Sequence, residues 1–366
     1  MKVSVVLPVY NSVKFLSEAI DSILAQDFTD WELLIINEYN SDDGSADIVR
    51  EYAKRDSRIR FIQNSKRLGL AESLNLGIRE AKGEYIARLD ADDIALPMRF
   101  SKQVEFLDGN PHVGVCGSWQ HHFSSEGDWI HKPPADISLC KAYLMFYCHI
   151  CHSTLMLRKN IFLENQLFYD NSFEIEDFEL WSRAINVTDF YNIPEVLGKY
   201  RRHQTQRNAV EDLGALDIDC AQIVSAALKR SLNLFLPESD KVFFWGFITP
   251  GELVSHFTNK EAMLSQLKRV ILRIYIANKK VRFFDEDALL AVMNAKWRWA
   301  KSGYSWQEPV FVNTIDEIFG QRVSGAFWAK LGRFLREYPT FSMRYKKVYS
   351  KVISIFRKNR RRSQNV

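Results

Sequence analysis

The sequence predicts an α/β fold in which a mainly parallel sheet is flanked by helices and followed by a helical C-terminal region. Over roughly the first 118 residues, short β-branched runs alternate four times with stretches in which apolar residues recur every three or four positions. This alternation is typical of a parallel sheet with helices on both faces. After about residue 210 it gives way to long helix-period segments, including residues 215–234 and 261–277.

The predicted elements follow in order along the chain. Strands are expected at residues 3–7, 31–36, 58–62 and 84–89, and the intervening helices at residues 45–54 and 70–81. Asn11 or Ser12 is expected to cap the first helix, and Pro97 to open a later one at its first turn. Ligands bind beyond the carboxyl ends of such strands, so residues 8–11, 37–45 and 90–93 are the candidate binding segments.

Length and composition indicate a globular protein of two domains. With 366 residues, 46% of them hydrophobic and 26% charged, the chain can bury a core, which excludes collagenous and largely disordered classes. We predict an α/β domain at residues 1–210 and a helical region at residues 211–366.

No segment of the sequence is typical of a membrane span or a signal peptide. The longest charge-free apolar stretch, residues 142–157, contains two histidines and is shorter than the ~20 residues of a span. The N-terminal apolar run ends at Pro8, too early for a signal-peptide core of ~7–15 residues. We therefore expect a cytoplasmic protein.

The five cysteines are expected to be reduced thiols. An odd number in a long chain fits free thiols better than a disulfide framework. Residues 148–152 spell C-x-x-C-H, a haem-attachment pattern, but no export signal accompanies it. Buried thiols are therefore favoured over haem or zinc.

Three carboxylates, those of Asp90, Asp92 and Asp93, follow the predicted strand at residues 84–89. Clustered carboxylates repel one another unless a cation joins them, and their hard oxygen atoms suit Mg²⁺ or Mn²⁺. The alternative is a solvated acidic turn. The position at a strand end favours the metal site.

Several segments together resemble the family 2 glycosyltransferases of GT-A fold. In order, they read VSVVLPVYNSVKFLSEAIDSILAQDF, SDDGSADIV, LGLAESLNLGIREAKGEYIARLDADDIALPMRF, HSTLMLRK, EIEDFELWSRA and YRRH. The resemblance covers roughly residues 2–205. It implies a GT-A-like sheet and transfer of a sugar from a nucleotide-diphosphate donor, foremost a UDP-sugar. Inversion at the anomeric carbon and dependence on Mn²⁺ or Mg²⁺ are also implied.

The resemblance assigns roles to residues at the strand ends. Asp92 is implied to hold the metal that bridges the diphosphate, with Asp93 as a supporting carboxylate. Asp90 is implied to contact the nucleoside. The other implied nucleotide contacts are Pro8, Tyr10, Asn11 and Arg67.

One segment departs from the family pattern. The family's turn after the second strand reads Asp-Asp-Gly-Ser, and a gapless pairing puts Glu38 in the place of the base-binding aspartate. The literal match, residues 42–45, lies four positions later and requires a longer strand or loop. We prefer the gapless pairing, which leaves thymidine and guanosine donors open beside uridine.

The segment EIEDFELW is implied to carry the general base, Asp177, with Glu176 beside it. An alcohol is a weak nucleophile, so a one-step displacement needs a nearby proton acceptor, and a carboxylate is the simplest one. Acidic residues at a helix start also complement the helix dipole, which is the alternative interpretation.

Two further segments contribute candidate residues. In YRRH the resemblance implies His203 as a metal ligand and Arg201 as a residue that faces the phosphates. His152 matches a family position near the acceptor.

The C-terminal tail, residues 339–366, carries nine Lys or Arg and no acidic residue. Its aromatic and valine residues recur at helical spacing, which predicts a basic amphipathic helix that binds an anionic membrane surface or docks on its own domain. Membrane binding would place the protein at the inner face of the cell membrane. No nucleic-acid-recognition motif accompanies the charge, so no nucleic-acid partner is expected.

The sequence therefore predicts a metal-dependent inverting glycosyltransferase that acts on a glycan or lipid-linked acceptor in surface polysaccharide synthesis. One alternative is a catalytically silent nucleotide-sugar-binding or scaffold protein of the same fold. A second is a nucleotidyltransferase, which commonly has a Gly-rich, Arg- or Lys-containing loop after the first strand. Residues 8–11 read Pro-Val-Tyr-Asn instead.

Overall fold

The computed structural model describes residues 1–125, 127–203, 206, 213–237, 240 and 260–301. The chain divides into two compact units between Asp219 and Cys220. The basic tail at residues 339–366 and the predicted domain boundary at residue 210 lie outside the described residues.

Nine strands of the described chain form one sheet, in the order β3-β2-β1-β4-β8-β6-β9-β5, with β7 paired to β6. Their bounds are β1 (Val3–Val9), β2 (Trp31–Asn37), β3 (Ile59–Gln63), β4 (Tyr85–Arg88), β5 (Ile94–Ala95), β6 (Val113–Phe123), β7 (Trp129–His131), β8 (Met156–Arg158) and β9 (Asp189–Arg201).

The helices of the first unit are α1 (Leu16–Leu24), α2 (Ser45–Arg55), α3 (Gly69–Glu80), α4 (Arg99–Gly109), α5 (Ile137–Leu144), α6 (Lys159–Glu164) and α7 (Glu176–Ala184). A short 3₁₀ helix, His152–Thr154, precedes β8. The helix α8 (Leu213–Leu232) crosses the boundary, and α9 (Lys260–Val281) and α10 (Glu286–Lys301) lie in the second unit.

The first four strands form the parallel sheet that the sequence predicts. β1 pairs in parallel with β2 and β4, and β2 pairs in parallel with β3. Every residue of β2 is buried, as expected for a strand covered on both faces. Gly77 of α3 lets this helix pack directly on β1, since an added Cβ would lie 2.4 Å from Val6 Cγ1.

Beyond β4 the sheet is mixed. β8 runs antiparallel between β4 and β6, β9 pairs in parallel with β6, and β5 pairs antiparallel with β9. As a result β9 ends at the same edge of the sheet as β1, β2 and β4. The sequence analysis predicts none of the strands β5 to β9, of which β8 has only three residues and β5 only two.

Two helix starts differ from the predictions. α1 begins after Phe15 and has no side-chain cap, while Asn11 adopts a left-handed φ of 47° in the preceding loop. α4 begins at Arg99, two residues beyond Pro97. Among the described helices, none is both long and apolar enough to cross a membrane.

Candidate active site

The acidic turn after β4 contains Asp90, Asp92 and Asp93. The Asp93 N–H donates to the carbonyl oxygen of Asp90 at 3.2 Å and closes the turn. One carboxylate oxygen from each of the three residues lies within 4.8 Å of the others. The turn therefore concentrates negative charge at the carboxyl edge of the sheet.

The end of β9 supplies partners to this turn. β5 follows the turn directly and pairs with β9, with Ile94 opposite Lys199. The Arg201 N–H donates to Asp93 Oδ1 at 2.9 Å, and Arg201 Nε donates to the Asp92 carbonyl at 3.0 Å. His203 Nε2 lies 2.9 Å from Asp92 Oδ2. The structure thus brings the three predicted acids together with Arg201 and His203.

Burial and repulsion from neighbouring carboxylates make Asp92 and Asp93 harder to ionise. Burial, and then the charges of Asp90 and Asp92, raise the pKa of Asp93 well above its usual value. Burial, and then the charge of Asp90, raise the pKa of Asp92. In addition, Asp93 Oδ2 is buried with no hydrogen-bond partner among the described groups. A bound cation would relieve both effects.

The donor set fits a hard divalent cation. Three carboxylates and one imidazole nitrogen are ligands that Mn²⁺ accepts, and the carboxylate oxygens suit Mg²⁺. Asp92 and His203 could hold the ion, with Asp90 and Asp93 close by.

The loops after β1 and β2 are joined by hydrogen bonds. The Asn11 N–H donates to Ser41 Oγ, and the Ser12 N–H to Ser45 Oγ, both at 3.0 Å. The Val13 N–H donates to Asp43 Oδ2 at 2.8 Å, while Asp43 Oδ1 accepts from Ser45 at the start of α2. The literal Asp-Gly-Ser match therefore connects the two loops.

The Glu38 carboxylate binds the start of α3. Its oxygens accept the N–H groups of Gly69 at 2.6 Å and Leu68 at 3.1 Å, and also that of Tyr39 at 2.6 Å. Burial opposes ionisation of Glu38, but these backbone donors outweigh it and hold its pKa below the usual value. Glu38 therefore fixes the loop that contains Arg67, a contact that sequence reasoning did not find.

The other predicted nucleotide residues are spread around these loops. Tyr10 is 54% exposed, Asn11 and Arg67 are exposed, and Pro8 is half-buried in β1 opposite Ile36. Pro8, Tyr10 and Asn11 thus lie at the end of β1, and Arg67 lies in the loop between β3 and α3.

α7 presents Asp177 at its N-terminus. Phe178, Trp181 and Ala184 are buried and anchor the helix, and Glu176 is also buried. Asp177 is half-buried; its Oδ1 accepts the Phe178 N–H at 2.6 Å, and the Cys148 thiol lies 3.6 Å from its Oδ2. Burial, and then the charge of Asp177, raise the pKa of Cys148.

His152 pairs with Tyr169 between the acidic turn and α7. His152 Nε2 lies 2.8 Å from the Tyr169 hydroxyl. Burial raises the pKa of Tyr169; Arg88 opposes this rise, and Asp177, Glu176 and Asp90 add to it. The acids of the turn and of α7 therefore both act electrostatically on the Tyr169 hydroxyl.

Two residues missed by sequence reasoning hold Asp90. Arg88 pairs with Asp90 Oδ2, and Ser153 Oγ donates to the same oxygen at 2.6 Å. The only available signal for Arg88 was its position within an otherwise apolar buried strand.

All five cysteines are free, in agreement with the predicted thiols.

Comparison with known proteins identifies the family. A family model described as Glycosyl transferase family 2 matches residues 4–186, which is half of the chain. The chain belongs to this family.

Curated relatives agree with this assignment. An uncharacterized glycosyltransferase of Haemophilus influenzae is 34% identical over 57% of this chain and 68% of the relative. The putative glycosyltransferase EpsE of Bacillus subtilis is 34% identical over 66% of this chain and 86% of the relative. The O-antigen biosynthesis glycosyltransferase WbnJ of Escherichia coli is 31% identical over 57% of this chain and 83% of the relative.

A solved structure supports the fold. Staphylococcus aureus TarS, residues 1–349 in complex with UDP-GlcNAc, superimposes with a TM-score of 0.57 at 17% identity, over 83% of this chain and 88% of that one. The GT-A-like fold with a helical C-terminal region predicted from the sequence is confirmed.

Proposed function

We propose that this glycosyltransferase moves a sugar from a nucleoside-diphosphate donor to a hydroxyl group of a glycan or lipid-linked acceptor, with inversion and with the help of Mn²⁺ or Mg²⁺. The observation that carries the proposal is the acidic turn, where three carboxylates meet His203 and Arg201 at the carboxyl edge of the sheet. Ligands bind at this edge in open α/β sheets.

The donor would lie over the joined loops after β1 and β2. Asp90 contacts the nucleoside, and Pro8, Tyr10, Asn11 and Arg67 border it. Glu38 shapes this wall through the start of α3 and stays a candidate base contact. Arg201, whose backbone N–H and Nε bind the acidic turn, would face the diphosphate.

Asp92 and His203 would hold the metal, with Asp93 in support. When bound, the ion offsets the negative charge that develops on the departing diphosphate. Without the ion, burial and the neighbouring carboxylates raise the pKa of Asp92 and Asp93, so a bound cation would favour their ionised forms.

Asp177 would accept the proton of the acceptor hydroxyl as its oxygen bonds to the anomeric carbon and the bond to the diphosphate breaks. Displacement from the opposite face inverts the anomeric centre. Glu176 and the His152–Tyr169 pair support the acceptor side of the cleft.

Polysaccharide synthesis is the proposed setting, because one relative carries the name O-antigen biosynthesis glycosyltransferase. The sugar and the nucleotide base are to be found by experiment. UDP-GlcNAc belongs in the first panel, since TarS, which shares the fold, binds it.

The test is release of nucleoside diphosphate from UDP-, TDP- and GDP-sugars with Mn²⁺ or Mg²⁺, with water or mixed glycans as acceptors. The proposal expects one donor to be cleaved by the wild type and not by Asp92→Ala. Metal-dependent binding of donors without any release would contradict it and support the nucleotide-sugar-binding protein instead. Release of pyrophosphate would indicate a nucleotidyltransferase.

The basic tail is proposed to bind anionic membranes and so bring the protein to a lipid-linked acceptor. Each Lys or Arg near such a surface is worth about 1 kcal/mol. Replacement of Arg360, Arg361 and Arg362 by Ala should therefore weaken sedimentation with anionic vesicles about a hundredfold. Unchanged vesicle binding would contradict this role.

A further inference from the structure

Arg88 lies beneath the acidic turn as a buried cation. It is the last residue of β4, and its side chain is only 4% exposed. A buried charge is strongly destabilising unless it is paired and hydrogen-bonded, so its partners identify what it does.

The Arg88 side chain contacts Asp90 and Ser153, and Ser153 also contacts Asp90. Its Nη1 pairs with Asp90 Oδ2 and donates to Ser153 Oγ at 2.8 Å, while Ser153 Oγ donates to the same Asp90 oxygen at 2.6 Å. The three side chains form a closed triangle. One oxygen of Asp90 is therefore fully engaged inside the protein.

The backbone holds this triangle in place. β8 follows the 3₁₀ helix that carries Ser153 and pairs with β4, and the Arg88 N–H donates to the Leu155 carbonyl at 3.1 Å. Arg99, also buried, donates from Nη2 to the carbonyl oxygens of Arg88 and Leu155 at 2.8 and 2.9 Å. Arg88 and Ser153 are thus fixed relative to each other.

The three acids of the turn differ in their partners. Asp90 pairs directly with the guanidinium of Arg88, whereas Asp92 lies beside the His203 imidazole and Asp93 accepts the backbone N–H of Arg201. A carboxylate whose charge is already balanced is a weaker metal ligand than one that is not. Asp90 is therefore disfavoured as a ligand for the ion and is held in one orientation.

We propose that Arg88 is a positioning residue that neutralises Asp90 and thereby divides the acidic turn: Asp90 is reserved for the nucleoside, and the metal is left to Asp92 and His203. This inference rests on the proposed function. The Arg88 guanidinium would weaken metal binding, because it repels a cation. It would strengthen nucleotide binding, because it orients the Asp90 carboxylate that contacts the nucleoside.

The test measures two affinities of the full chain. The Kd for Mn²⁺ alone is determined from the electron paramagnetic resonance of free Mn²⁺. The Kd for UDP, or for GDP where the wild type binds that more tightly, is determined by calorimetry at saturating Mn²⁺. Arg88→Met should bind Mn²⁺ at least about threefold more tightly, since a repelling charge is gone. It should bind the nucleotide about tenfold more weakly, since Asp90 has lost its charged hydrogen bond.

Controls separate this role from a purely structural one. Arg158 lies opposite Tyr85 on the same pair of strands and donates to its hydroxyl at 3.2 Å, so Arg158→Met is a matched loss of a part-buried arginine. It should change neither affinity. If Arg88→Met weakens both affinities together, or leaves nucleotide binding unchanged, the proposal is overturned.

Ser153→Ala is a second variant that tests the orientation of Asp90 if Arg88→Met does not fold. It removes one donor to Asp90 but no charge. We expect nucleotide binding to weaken about threefold and Mn²⁺ binding to stay the same. Unchanged nucleotide affinity would overturn the proposal. A wild type that binds neither Mn²⁺ nor the nucleotides would instead contradict the proposed function itself.

Discussion

The acidic turn and the start of α7 both present carboxylates, but their surroundings differ. The turn is held by an ion pair with Arg88 and by hydrogen bonds with Arg201 and His203. Asp177 lies beside the weakly polar Cys148 thiol and the N–H of the next residue. The first arrangement suits a permanent cation, and the second suits a group that gains and loses a proton.

Loss of Asp92 is expected to have the largest effect on the turn. Asp92→Asn keeps the shape but removes a metal ligand and the charge beside His203. Release of nucleoside diphosphate should fall about 10³-fold, the scale of losing one main electrostatic stabiliser of the transition state. The Kd for Mn²⁺ should rise in parallel. Turnover within tenfold of the wild type would show that the turn does not hold the metal.

Glu38 tests whether the nucleotide wall depends on the start of α3. Glu38→Ala leaves the N–H groups of Leu68 and Gly69 without their acceptor, so unfolding free energy should fall by about 2 kcal/mol in urea titrations. Nucleotide affinity should fall with it. Glu38→Gln keeps one acceptor oxygen and should lose less. Equal stability of Glu38→Ala and the wild type would contradict the contact.

The raised pKa of Asp93 gives the metal-free protein a pH dependence. A carboxyl whose pKa is higher in the folded than in the unfolded state contributes stability that is present below the unfolded pKa, near 3.8, and is lost as pH rises through the folded pKa. Asp93→Asn does not titrate. Relative to the wild type, it should therefore gain stability as pH rises from about 4 towards neutrality.

The measurement for Asp93 is urea unfolding of both proteins across this pH range, with and without Mn²⁺. Bound Mn²⁺ should replace the proton and stabilise the wild type most at the higher pH. A constant difference between wild type and Asp93→Asn at every pH would mean that Asp93 keeps an ordinary pKa.

Cys148 is expected to have the smallest effect. Its thiol is a weak donor, so Cys148→Ala should lower turnover only about threefold. Loss of a donor to the carboxylate should also move the acidic limb of the pH–rate profile to higher pH. Cys148→Ser, which keeps a donor, serves as the control. An unshifted acidic limb in Cys148→Ala would show that the thiol does not act on Asp177.

Much of this site could be predicted from the sequence, and the limits have physical causes. Asp90, Asp92 and Asp93 were found because strand and turn are close along the chain. His203 became a candidate metal ligand only through the family resemblance, since 111 residues separate it from Asp92. Arg88 was missed because a single arginine at the end of an apolar strand does not show which way its side chain turns, and its second partner, Ser153, lies 65 residues away. The hydrogen bond from the Gly69 N–H to Glu38 was also missed, because Gly69 lies 31 residues further along the chain.

The first half of the sheet could be predicted from the sequence, and the second half could not. β1 to β4 alternate along the chain with clear helical periods, so these strands and their parallel pairing could be predicted. β5, β7 and β8 have two or three residues each, and only pairing with β6, β9 and β4 defines them. Periodicity cannot reveal strands that short.

The comparison of the two carboxylate sites is tested most directly with Asp177→Asn. The control is Glu179→Gln, a neighbouring carboxylate on α7 that pairs with Arg183 at 2.7 Å. For Asp177→Asn we expect a loss of about 10²- to 10⁴-fold in nucleoside diphosphate release, with the Kd values for Mn²⁺ and donor within about twofold of the wild type. Turnover near the wild-type rate, or donor binding that weakens as much as turnover, would contradict a proton-accepting role for Asp177.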